Sequence, residues 1–162
     1  MDIVRAVCNR LSKTPSHTPH AVIITEKDEE KGLRSLEHLR HPTVRVGFHQ
    51  LDACNDRSRT TFFKNLKEQF GSVDVVINNS DILPSTKELG SKRSTGYILK
   101  EDYYEAKVAI FALIPLMAPG GRVVIGVSSL AELAIRWMNE NAFAKLFSAS
   151  TSDKASYLSL QF

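Results

Sequence analysis

The sequence predicts an α/β protein, a doubly wound parallel sheet of about four strands with helices on both faces. Three observations carry that expectation. Four short runs, AVIIT (21–25), VRVGFHQLD (44–52), VDVVINN (73–79) and GRVVIGVSS (121–129), are apolar almost throughout, as strands buried on both faces are. Each is followed by a stretch of helical period, long enough to cross over to a parallel neighbour. Polar or turn-forming side chains then gather where the strands end. In open sheets of this kind ligands bind beyond the carboxyl ends of the strands. Chemistry is therefore sought at TEKD (25–28), LDA (51–53), NNSD (78–81) and VSS (127–129).

Taken in order, Ile3, Val4, Val7 and Leu11 recur at three and four residues, which predicts a helix over 2–13. The link TPSHTPH (14–20) ends it, because proline cannot continue the hydrogen-bond ladder. After AVIIT, Leu33, Leu36 and Leu39 give a helix over 28–39, although Gly32 disfavours it. The helix over 56–70 turns Phe62, Phe63, Leu66 and Phe70 inward and stops at Gly71. A polar loop follows VDVVINN at 84–97. A long helix over 98–117, ended by Pro119 and two glycines, leads to GRVVIGVSS, and an amphipathic helix closes the pattern at 131–147. Residues 1–147 thus read as a single domain and 148–162 as a weakly structured tail.

Bulk properties exclude several classes. With 43% hydrophobic and 24% charged residues among 162, the chain has the composition of a folded globule. A formal charge of +3, with bases and acids intermixed, argues against a nucleic-acid partner. Cys8 and Cys54 make neither a disulfide framework nor a metal spacing, and no stretch is apolar enough for a signal core or a membrane span. The expected compartment is the cytoplasm, with no membrane contact.

The four strand ends, at these spacings, resemble the short-chain dehydrogenase/reductase family, and within it the carbonyl reductases. The likeness covers roughly residues 2–130. It is carried by TEKDEEKGLRSLEHL, FHQLDACN, FGSVDVVINNSDI and, most specifically, DYYEAKVAIFALIPLMAPGGRVVIGVSS. The resemblance implies a Rossmann-like sheet, an NADPH cofactor, and hydride transfer to a small ketone, aldehyde or quinone. It implies that Lys27 takes the place of a 2′-phosphate partner. Glu26 would stand where NAD-preferring members hold the ribose 2′-hydroxyl, so the two signals conflict. An exposed charged turn opening a helix is the plain alternative for both. Asp52 corresponds to the adenine-side aspartate, or is simply a strand-end turn residue. Asn78 and Asn79 correspond to the paired asparagines at the fourth family strand. Ser129 corresponds to the catalytic serine that polarises the substrate carbonyl, while Ser129-Leu130-Ala131-Glu132 is also a capping box.

Departures from the family pattern are equally specific. The family's first strand and its T-G-x-x-x-G-x-G turn have no counterpart within the 162 residues, since Met1-Asp2-Ile3-Val4 already matches the helix that follows them. The family's Y-x-x-x-K lies beyond the serine, and the only tyrosine after Ser129, Tyr157, is followed four residues on by Gln161, a neutral amide that cannot stabilise a tyrosinate. Asp102 replaces the relay asparagine. Ser80 and Asp81 replace the Ala-Gly of N-N-A-G, and a carboxylate beside an anionic cofactor costs on the order of 1 kcal/mol or more. The sheet is then a truncated Rossmann-like one, and direct pairing of AVIIT with VDVVIN predicts the order 3-2-4-5 in family strand numbers. A gapped sheet that recruits another chain through its edges is the alternative. Three functions follow: a carbonyl reductase-like relative inactive by itself, a fragment or isoform of an active reductase, and a non-catalytic scaffold that self-associates.

Overall fold

The computed structural model describes residues 2–17, 19–79, 104–126 and 135–148. They fall into two compact units, Met1–Gly71 and Ser72–Phe162. Both are built of parallel strands and helices, and about four strands are present in all.

The first unit opens with α1 (Asp2–Leu11), which tucks Cys8 into the core at 2% exposure. Tighter bonds from Lys13 N–H to the Arg10 carbonyl and from Thr14 N–H to the Leu11 carbonyl end it before Pro15. β1 (Ala21–Glu26) pairs in parallel with β2 (Arg45–Gln50), with Ala21 opposite Arg45 and Glu26 opposite Gln50. Between them lies α2 (Glu29–Glu37), capped by Asp28, whose carboxylate accepts from Lys31 N–H at 2.9 Å.

The inner face of α2 differs from the leucine stripe read in the sequence. Leu33 is half exposed, whereas Gly32 is buried and Leu39, just past the helix, is 5% exposed. A Cβ at Gly32 would overlap the ring of Phe48 on β2, with Cδ2 at 2.7 Å and Cε2 and Cζ closer still. Glycine, a poor helix former, is thus what lets α2 lie directly on β2. α3 (Asp56–Phe70) is capped by Asn55, which accepts from Ser58 N–H, and is closed by Gly71 in the left-handed region at φ 76°. Phe62 and Leu66 fill the core beside Val44, and the edge of Phe62 meets the His49 ring at 5.0 Å. His49 Nδ1 lies 2.7 Å from the Gln50 carbonyl and Nε2 2.8 Å from the Asn65 amide nitrogen, a pairing met by a proton on Nδ1.

In the second unit β3 (Val73–Asn78) pairs in parallel with β4 (Met117–Ile125). The register runs from Val75 opposite Arg122 to Asn78 opposite Ile125, and an irregularity between Val73 and Val75 absorbs the segment Ala118–Gly121. α4 (Glu105–Leu113) packs on β3. It ends earlier than Pro119: Pro115 lacks an N–H, so the chain tightens into a 3₁₀ turn at Ile114–Leu116 and β4 begins at Met117. The predicted helix over 131–147 is also divided. Residues 135–137 are helical, and α5 (Glu140–Phe147) starts afresh because Asn139 Oδ1 accepts from Ala142 N–H at 2.8 Å.

Within each unit the pairing is the one expected, β1 with β2 and β3 with β4, both parallel. One sequence expectation is corrected: the strands are less buried than their composition suggests. Val75, Ile77, Val123, Val124 and Ile125 are all exposed by 39–57%. A two-stranded ribbon with one helix packed on it cannot cover both of its faces.

Candidate cofactor site at the carboxyl ends of two paired strands

Because β1 and β2 run parallel and in register, the segments after Glu26 and Gln50 leave the sheet side by side. The ladder continues one step past the strands, with Leu51 N–H donating to the Glu26 carbonyl at 3.0 Å. The Gln50 side-chain amide donates to the Lys27 carbonyl, also at 3.0 Å, fastening the turn of one strand to the end of the other.

On this platform stand three of the residues singled out in the sequence. Lys27 Nζ lies 3.6 Å from Asp52 Oδ2. Glu26 Oε1 accepts from Lys27 N–H at 3.0 Å, and its Oε2 pairs with Lys31 Nζ at 3.1 Å. Asp52 is held from behind: its N–H donates to Ser58 Oγ at 2.9 Å and its Oδ1 accepts from Cys54 N–H at 3.1 Å. The carboxylates are partly buried, at 29% and 31% side-chain exposure, while the two lysine heads are exposed, at 60% and 66%. Ion pairs this exposed are worth roughly 0–1 kcal/mol. An incoming anion can detach either lysine at that cost.

Lys31 went unremarked in the sequence. Its partner Glu26 is five residues away and on a strand, so no helical i,i+4 rule connects them; only the bend at Asp28 brings them together. The effect is electrostatic: the acid that would repel a 2′-phosphate has its own cation 3.1 Å away. The groups present, two extended cations and a fixed carboxylate acceptor, fit the adenosine end of a phosphorylated dinucleotide.

In the second unit, Asn78 closes the end of β3, its carbonyl accepting from Gly126 N–H at 2.8 Å. Asn79 follows, its Oδ1 only 2.8 Å from where a Cβ on Gly126 would sit. Ser80, Asp81, Asp102 and Ser129 lie outside the described residues. Among the described residues no cluster of three His, Cys, Asp or Glu could hold a metal ion, and no helix is long and apolar enough to cross a membrane.

No family model matches the chain. It is, however, 29% identical over 132 residues to bovine carbonyl reductase [NADPH] 1, an alignment covering 81% of this chain and 45% of that protein. The chain is carbonyl reductase-like. It spans less than half the length of that relative. Solved structures agree on the fold. Menthone neomenthol reductase from Mentha piperita superposes with a TM-score of 0.68 at 23% identity, over 87% of this chain and 63% of the other. A short-chain dehydrogenase from Burkholderia cenocepacia in complex with NADP gives 0.57, also at 23%, over 83% and 53%. The chain thus shares the Rossmann-like α/β fold of these solved structures.

Proposed function

We propose that this carbonyl reductase-like chain carries the 2′-phosphoadenosine end of an NADPH site on β1–β2, and that these 162 residues do not reduce a carbonyl by themselves. The observation that supports the first part is the meeting of Lys27 and Asp52 at the neighbouring strand ends, with Lys31 offsetting Glu26. In this reading Lys27 leaves Asp52 to meet the 2′-phosphate, Lys31 keeps Glu26 from repelling it, and Asp52 accepts from the adenine amine. The second part is supported by sequence chemistry: after Ser129 the only tyrosine is Tyr157, with Gln161 in place of a lysine four residues on, and Asp81 and Asp102 are internal changes.

The test is a titration with NADPH followed by nicotinamide fluorescence, alongside 2′,5′-ADP and 5′-AMP followed by calorimetry. Binding of 2′,5′-ADP in preference to 5′-AMP, weakened about tenfold by Lys27→Ala, is the expected result, since a charge-assisted hydrogen bond contributes about 1.5–3 kcal/mol less the cost of opening its ion pair. Equal affinity for the two nucleotides would overturn the site. Turnover of a quinone or aromatic ketone by the purified chain would overturn its inactivity.

A second reading, that the chain is part of a longer and active NADPH-dependent reductase, is favoured by its 45% coverage of the bovine relative. A third, a non-catalytic scaffold, is favoured by the exposed valines and isoleucines of β3 and β4, which would join copies of the chain. Sedimentation as a monomer at high concentration would remove it.

A further inference from the structure

At the other end of the first unit, a recess of about 190 Å³ lies between α1 and the link from α2 to β2. Arg5 and Asn9 face it from successive turns of α1, and His38, Arg40 and His41 from the link. Buried Leu39 and Cys8 complete the lining, which among the described residues includes no carboxylate.

Its donors are only partly spent. Arg5 gives one N–H to the His38 carbonyl at 3.2 Å, capping the end of α2. His41 Nδ1 accepts from Thr43 N–H at 3.3 Å, which leaves the ring proton on Nε2. Arg40 forms no ion pair among the described residues. A recess lined by two guanidiniums, two imidazoles and an amide, without an acid, presents donors and positive charge to one small volume. That volume is several times the ~30 Å³ of a water molecule, yet below the ~300 Å³ of typical organic-ligand pockets.

We propose that this recess binds a small phosphate-class dianion, gripped by Arg40 and the free N–H groups of Arg5, with His41 Nε2–H and the Asn9 amide completing the shell. It is separate from the strand-end site and does not depend on it. The test uses the whole chain and inorganic phosphate. At fixed pH and matched ionic strength, phosphate is expected to shift the Asn9 amide and the His38 and His41 ring signals saturably, and to raise the thermal midpoint. Sodium chloride should do neither. Arg40→Gln, at an exposed position without an ion partner, is expected to keep the wild-type circular dichroism while weakening phosphate about tenfold. Shifts that do not saturate, an equal response to chloride, or undiminished binding by Arg40→Gln would each overturn the proposal.

Discussion

Replacing Gly32 by alanine tests the packing that orients the candidate site. On an exposed helix this change would stabilise by about 1 kcal/mol, because alanine is the better helix former. Here the added methyl would overlap three atoms of the Phe48 ring, even the farthest of them, Cδ2, lying only 2.7 Å away. Overpacking of this kind costs about 1–3 kcal/mol, and the tight fit puts Gly32 in the upper half of that range. The net expectation is a loss of about 1–2 kcal/mol, or about 2–8 °C in the thermal midpoint for a chain of this size. Denaturant titration by circular dichroism measures it. Trimming the ring in Gly32→Ala/Phe48→Leu should recover part of the loss, giving a non-additive double-mutant cycle. A single variant as stable as the parent would refute the close docking of α2, and with it the positioning of Lys31 one turn into that helix.

Other outcomes follow from single contacts. Burial pushes the Cys8 thiol up. The folded state therefore holds Cys8 neutral where the unfolded chain ionises it, so stability is unaffected below about pH 8.5 and declines above it, by at most ~1.4 kcal/mol per pH unit. Cys8→Ala should flatten that alkaline slope, and iodoacetamide should label exposed Cys54 well before Cys8, as peptide mass spectrometry would read. Asn139→Ala removes the cap of α5 and should cost about 1 kcal/mol there, seen as faster amide exchange at Ala142 and its neighbours; Asn139→Asp should preserve protection. Unchanged exchange in Asn139→Ala would mean that α5 does not depend on its cap.

Much of this architecture was legible because its signals are local. Caps and stops such as Gly71 follow from one residue's stereochemistry, and the parallel pairing of β1 with β2 follows from apolar strands joined by a helix. What was not legible depended on two elements at once. Gly32 counted against a helix until Phe48 was known to lie beneath it, and Leu33 looked internal because its period ignores that contact. Pro115 and Pro119 are equally able to end a helix, and the nearer one acted first. At the site, Lys27 and Asp52 were named separately from their places at strand ends; their pairing, and Lys31 on Glu26, needed the bend at Asp28.

That pairing also turns the conflict between Glu26 and Lys27 into a question of which bridge opens first. Across Glu26, Lys27, Lys31 and Asp52 the charges cancel, so net charge decides nothing between a 2′-hydroxyl and a 2′-phosphate. Geometry does. Lys31–Glu26 at 3.1 Å is within hydrogen-bond distance, whereas Lys27–Asp52 at 3.6 Å is a looser electrostatic contact. A phosphate should therefore recruit Lys27 and leave Lys31 neutralising Glu26. Asp52→Asn then makes a discriminating substitution. It removes one carboxylate that holds Lys27 while keeping a side-chain oxygen to accept from Cys54 N–H and from an adenine amine. With up to about 1 kcal/mol no longer needed to open the pair, 2′,5′-ADP should bind up to about fivefold more tightly. Affinity for 5′-AMP, which carries nothing for Lys27 to meet, should stay within twofold. If Asp52→Asn weakened both nucleotides alike, Asp52 would be an adenine contact whose charge matters, and Lys27 would not be the residue that selects the phosphate.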